Sequence, residues 1–183
     1  MIRALNLDRR YNDTKEEYIS YLDDIMARQV PCNGYYTSLV EDSLQNITGR
    51  KHALLTNTGS IALLLSLFVN KIGKGDEIIT TNYSSPASLA YILVAGATPI
   101  FCDVDHTGNM IVDNLESLLT ANTKAIVGTG LYGDMYNHTV INYFARKHNL
   151  VYINDASQSM FSKWAGKDSL ACGDIVAMSH AEN

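Results

Sequence analysis

The chain switches again and again between short runs rich in Ile, Val and Thr and longer runs with helical spacing. The switches are marked by Gly, Pro, Asn or Asp. The pattern predicts strands at His52–Thr56, Glu77–Thr81, Thr98–Val104, Lys124–Gly128, Leu150–Asn154 and Asp174–Met178. Between them it predicts helices at Ile61–Asn70, Ala87–Val94 (closed by Gly96), Val112–Leu119 and Thr139–His148. Parallel strands need a crossover long enough to hold a helix. Alternation of this kind therefore implies βαβ units: an α/β fold with a mostly parallel sheet flanked by helices. Ligands of such sheets gather at the carboxyl ends of the strands.

Upstream of the alternation, Tyr18, Ile19, Leu22, Ile25 and Met26 recur at helical spacing within Asp13–Arg28. Pro31–Tyr36 reads as a loop, and Ser38–Ile47 as a second helix ended near Gly49. The 183 residues, 46% hydrophobic, suffice for one sizeable core. The expected division is an N-terminal helical segment over residues 1–33 and a ligand-binding domain over 34–183. No internal repeat, low-complexity tract or linker stands out.

The net charge is -5, with acidic and basic residues mixed along the chain. That argues against a nucleic-acid face, which needs clustered Lys and Arg. It leaves room for a phosphorylated small molecule, because backbone amides bind phosphate without net positive charge. Nothing approaches a membrane span or a secretory signal, so no membrane association is expected and a cytoplasmic location is. Cys32, Cys102 and Cys172 are odd in number and widely spaced. They read as buried apolar residues rather than a disulfide framework, and no cluster has metal-ligand spacing.

Three places carry chemistry. Thr58-Gly59-Ser60 joins a strand to a helix. Its glycine allows close approach, and the helix start offers amides and a positive dipole end to a phosphate; the same residues also suit simple helix capping. Asp155 follows the apolar run Val151–Asn154. A carboxylate there can hold a protonated ring nitrogen, and a buried one calls for a partner; alternatively it caps the next turn. Ser179 follows Gly173-Asp174 and an apolar run, and is either a ligand-binding or an ordinary strand-end hydroxyl. Gly73, Gly75 and Asp76 read as a turn, and His138 and His148 as surface residues.

In their order, Thr58-Gly59-Ser60, Gly75-Asp76-Glu77, Leu131-Tyr132-Gly133, Asn154-Asp155-Ala156-Ser157-Gln158 and Ser179 resemble the DegT/DnrJ/EryC1/StrS family of sugar aminotransferases that use pyridoxal 5'-phosphate. The resemblance runs from about Gly34 to Ser179. It implies the large domain of fold type I, incomplete at its C-terminus and without the small C-terminal domain. By resemblance Asp155 is the catalytic acid at the ring nitrogen and Gln158 contacts the ring hydroxyl. Gly59, Ser60 and Ser179 hold the phosphate. Ser85 in Asn82–Pro86 takes the place of the family's stacking aromatic, with Tyr83 nearby. The family's lysine lies five residues after the serine, which would be position 184, one past Asn183.

The chain departs from the family at Ser85, at Gly130, where a His is common, and at His180, where a Phe is usual. The function the resemblance implies is transfer of an amino group from L-glutamate to a keto-sugar, nucleotide-linked, by a homodimer. Two alternatives are a sugar dehydratase of the same family, with His in place of the lysine, and an inactive fragment. Tyr35, Tyr36, Tyr83, Tyr91 and Tyr132 are candidates for lining a sugar pocket or for half-buried packing.

Overall fold

The computed structural model describes residues 7–29 and 32–180. Two helices come first, α1 (Leu7–Arg28) and α2 (Tyr35–Thr48). Gly49 ends α2 with φ of 67°, a left-handed conformation that glycine adopts without strain. The predicted loop begins at Pro31, which lies outside the described residues, and helix is already present by Tyr35. Then come α3 (Gly59–Val69), β1 (Glu77–Thr81), α4 (Ala87–Val94) and β2 (Thr98–Cys102). They are followed by α5 (Leu115–Leu118), β3 (Thr123–Thr129), α6 (His138–Lys147) and β4 (Val151–Asp155). The short hairpin β5 (Lys163–Trp164) and β6 (Lys167–Asp168) precedes β7 (Ile175–Ala177).

The main sheet has the order β2-β1-β3-β4-β7, and every pairing in it is parallel. Strand residues alternate between its faces, and the core divides accordingly. Ile78, Ala125, Val127 and Ile153 pack with Leu63 and Leu67 of α3 and Tyr91 and Ile92 of α4. Ile79, Ile126 and Tyr152 pack with Leu115 of α5 and Ile141 and Phe144 of α6. Fold class and layering therefore follow the expectation from sequence.

Four local expectations fail. His52–Thr56 forms no strand. Its Leu55 amide donates to Glu41 Oε1 (2.8 Å), and a groove of about 440 Å³ runs between this stretch and the end of β7, so no ladder forms. β2 stops at Cys102, because Asp105 Oδ1 accepts from the amides of Thr107 and Asn109 and turns the chain back. Val112–Leu119 is a 3-10 turn (Val112–Asn114) followed by the single turn α5. Cys32 is exposed, whereas Cys102 and Cys172 are buried. Arg50 fastens the approach to β7: its guanidinium donates to the carbonyls of Leu170, Cys172, Gly173 and Asp174.

Candidate functional site

The carboxyl ends of β1, β3, β4 and β7 lie along one edge of the sheet, and the loops that leave them enclose a cavity of about 260 Å³. All six residues singled out for cofactor contact, Gly59, Ser60, Ser85, Asp155, Gln158 and Ser179, line it. Thr58, Ser84, Ser88, Thr129 and Ser157 complete its polar wall.

The α3 end of the cavity is built by two separable features. Thr58 is the N-cap, its Oγ1 accepting from the Ile61 amide at 3.1 Å. The capping reading thus holds for Thr58. The Gly59 and Ser60 amides fall in the first turn, where no preceding carbonyl stands in helical register. Gly59 allows a close approach of a different kind, to the chain itself: a Cβ there would lie 2.9 Å from Ser179 Cβ. Only glycine lets α3 start this near the end of β7.

Asp155 closes β4 and is 2% exposed. Register pairs it with Thr129 of β3 and Ala177 of β7, so it sits inside the sheet edge rather than on a loop. Its Oδ1 accepts from the Ser157 amide (3.1 Å) and the Ser157 hydroxyl (2.6 Å), which is the turn-capping role. Its Oδ2 accepts from the Ser88 hydroxyl at 3.3 Å. One oxygen thus holds the turn, and the other is met by a side chain of α4. The turn-capping reading therefore holds for Oδ1, while Oδ2 takes no part in that turn.

Gln158 is tied at its Oε1, which accepts from the Tyr132 amide at 3.4 Å. Ser85 is exposed, and its Oγ accepts from the Ala87 amide at 3.3 Å. Tyr83 does not line the cavity. Its ring covers Gly108, where a Cβ would meet Cε1 at 2.7 Å, and its hydroxyl lies 3.4 Å from that of Tyr132. At Gly130 an added Cβ would meet Ser159 Oγ at 2.5 Å, so this backbone leaves no room for the larger side chain common there.

His138 is not a surface residue; it is 4% exposed. Its Nδ1 lies 3.0 Å from the Tyr152 hydroxyl, which lies 2.8 Å from the Tyr136 hydroxyl, which donates to Asn154 Oδ1 at 2.6 Å. Asn154 Nδ2 donates to the Ser169 carbonyl at 2.8 Å. On the other side, Lys167 Nζ lies 3.4 Å from His138 Nε2. An ammonium can only donate, so Nε2 accepts, Nδ1 carries the proton, and the whole row donates in one direction. Burial, and then the Lys167 charge, push the His138 pKa down to about 4. The network buttresses β4 from behind, one residue before Asp155. The sequence held no signal for it, because its members lie on separate elements. His148 is partly exposed and contacts Glu116.

Among the described residues no group of His, Cys, Asp or Glu has the arrangement of a metal site, and no helix is long and apolar enough to cross a membrane. The family model of the DegT/DnrJ/EryC1/StrS aminotransferases matches residues 12–182. The chain belongs to this family. It is 38% identical over 175 residues to a GDP-perosamine synthase of Caulobacter vibrioides, covering 95% of this chain and 47% of that one. A DegT/DnrJ/EryC1/StrS aminotransferase from Brucella abortus superposes with a TM-score of 0.91 at 24% identity, over 97% of this chain and 50% of the other. That likeness establishes the fold type I large domain. NtdA from Bacillus subtilis, solved with bound PMP, superposes with a TM-score of 0.83 at 27% identity, over 87% of this chain and 37% of the other. The chain spans about half the length of the curated relatives it matches.

Proposed function

We propose that this chain forms the cofactor-binding part of a pyridoxal-phosphate-dependent aminotransferase that moves an amino group from L-glutamate to a nucleotide-linked keto-sugar. The observation that carries the reading is the meeting, in one cavity, of an α3 N-terminus with close glycine approach and a buried carboxylate at the end of β4. A phosphate monoester fits the first and a ring nitrogen the second. Membership of the family, the name of the Caulobacter relative and the PMP bound to NtdA support the same cofactor and substrate class.

Residues 34–183 would be the cofactor-binding domain and 1–33 a helical segment leading into it. The active form would be a homodimer. When bound, the cofactor supplies an electron sink for the carbon that loses its proton. The chain's own residues bind and orient it. The amides of Gly59 and Ser60 and the hydroxyls of Ser60 and Ser179 hold the phosphate against the positive end of α3. Asp155 keeps a proton on the ring nitrogen. Gln158, with its Oε1 already bonded to the Tyr132 amide, offers its NH2 to the ring hydroxyl. Ser85 leaves the ring face without an aromatic cover from that loop.

The test is a fluorescence titration of the purified protein with pyridoxamine 5'-phosphate, followed by an assay for 2-oxoglutarate released from L-glutamate. Saturable binding that inorganic phosphate competes away, and that weakens in Asp155→Ala, is expected. Release of 2-oxoglutarate should require a keto-sugar nucleotide. No saturable binding, or binding indifferent to Asp155→Ala, would overturn the reading.

A further inference from the structure

Ser88 of α4 lay outside every motif in the sequence. It is 6% exposed, and its hydroxyl donates to Asp155 Oδ2 across 67 residues of chain. A serine hydroxyl has one hydrogen. That hydrogen is committed to Asp155, because Ser88 Oγ in turn accepts from Ser84 Oγ at 3.1 Å. Ser84, Ser88 and Asp155 thus form a one-way row running from the loop after β1 to the buried carboxylate. Tyr91, one helical turn beyond Ser88, is 3% exposed, and its hydroxyl has no hydrogen-bond partner among the described residues. Burial raises its pKa, and the charge of Asp155 raises it further, so this hydroxyl too lies within the carboxylate's field. Two polar groups on one face of an otherwise apolar helix thus lie near the same acid, although burying a hydroxyl unpaired is unfavourable.

We infer that Ser88 is the positioning residue for Asp155, fixing the carboxylate through Oδ2 so that it meets the ring nitrogen of the cofactor in one orientation. Its partner on the opposite oxygen is Ser157, so the carboxylate is held from both sides and cannot rotate freely about its Cβ–Cγ bond. The Ser88 donor also disperses negative charge that would otherwise draw the shared proton off the ring. This inference rests on the proposed placement of the ring nitrogen at Asp155.

Two probes separate the inference from that placement: pyridoxamine 5'-phosphate, and its analogue with C–H in place of the ring nitrogen. Binding of each is measured in the protein and in Ser88→Ala, Ser88→Thr and Asp155→Asn, with near-native circular dichroism required of each variant. Ser88→Ala should weaken the natural cofactor about tenfold and leave the analogue unchanged. Ser88→Thr, which keeps the hydroxyl, should restore most of the loss. Equal weakening of both probes in Ser88→Ala would mean that Ser88 only shapes the cavity, and no weakening of either would mean that it does nothing for Asp155. Either result overturns the inference. Should Asp155→Asn also fail to distinguish the probes, the ring nitrogen is not at Asp155 and the functional reading itself falls. With ring-nitrogen-15 label, the Ser88→Ala complex should show less protonated ring nitrogen than the parent, a change that altered cavity shape alone would not produce.

Discussion

Gly59 and Ser179 lie 120 positions apart, yet a Cβ on the first would stand 2.9 Å from the Cβ of the second. The contact brings the N-terminus of α3 against the residues that follow β7. Gly59→Ala should force these two segments apart. Overpacking of this kind destabilises by about 1–3 kcal/mol. The larger effect is expected on phosphate binding, because the first-turn amides move with the helix. Titration with pyridoxamine 5'-phosphate should show a loss well beyond what the thermal midpoint shows, and unchanged affinity would separate the contact from the cradle.

Thr58 caps α3 but is assigned no contact with the phosphate. Thr58→Ala removes the acceptor for the Ile61 amide and should destabilise by about 1 kcal/mol. Thr58→Ser should retain the cap. Urea denaturation midpoints across the three proteins measure the difference; a null result for alanine would mean that solvent replaces the cap.

The buried row headed by His138 makes stability depend on pH. The pKa of His138 lies at about 4 in the fold against 6.5 for the free group, so the unfolded chain takes up its proton first as pH falls. The stability that comes from keeping His138 neutral is complete above pH 6.5. It declines as pH drops towards 4 and is fully lost below that. His138→Gln offers an acceptor to Lys167 and a donor to Tyr152 without titrating. Urea midpoints taken from pH 7.5 to 4.5 should fall more steeply for the parent than for this variant. Parallel profiles would place the acid sensitivity elsewhere.

Gly128 of β3 faces the hydroxyl end of the Tyr136 ring, where an added Cβ would run into Cζ and would lie 2.5 Å from the hydroxyl oxygen. Tyr136 is 2% exposed and is bonded to both Tyr152 and Asn154, so it has nowhere to go. Gly128→Ala should therefore destabilise by about 3 kcal/mol, the upper part of the overpacking range. A thermal midpoint within 2 °C of the parent would mean that the ring moves more easily than its bonds suggest.

What could be read from sequence was whatever is local and periodic. Glu77–Thr81 and Ala87–Val94 have the limits their patterns predict, because an apolar run or helical stripe is bounded by Gly or Pro on the chain itself. The six residues that the family resemblance named line one cavity, and Asp155 and Ser179 do so because parallel topology brings the carboxyl ends of β4 and β7 together. His52–Thr56 looked like its neighbours, but a strand exists only where another chain segment takes its hydrogen bonds. The β5–β6 hairpin went unseen, because two-residue strands have no period and its turn is a weak Ala165-Gly166. Ser88 and His138 were missed or misplaced for a different reason. Their partners are Asp155 and Tyr152, and nothing in the order of residues states which helix face will turn towards which strand.

The order of strands in the sheet has a consequence for how the protein comes together. The cavity wall draws on five separate stretches, from Thr58 through Ser84, Thr129 and Asp155 to Ser179, so no early portion of the chain contains it. β1 to β4 can pair before β7 arrives, but the end of the cavity where Gly59 meets Ser179 closes only when β7 docks beside β4. Contacts this distant in sequence form late and slowly. Binding competence should therefore lag behind the recovery of helix signal during refolding, so that a phosphate-bearing ligand reports the docking of β7 rather than collapse.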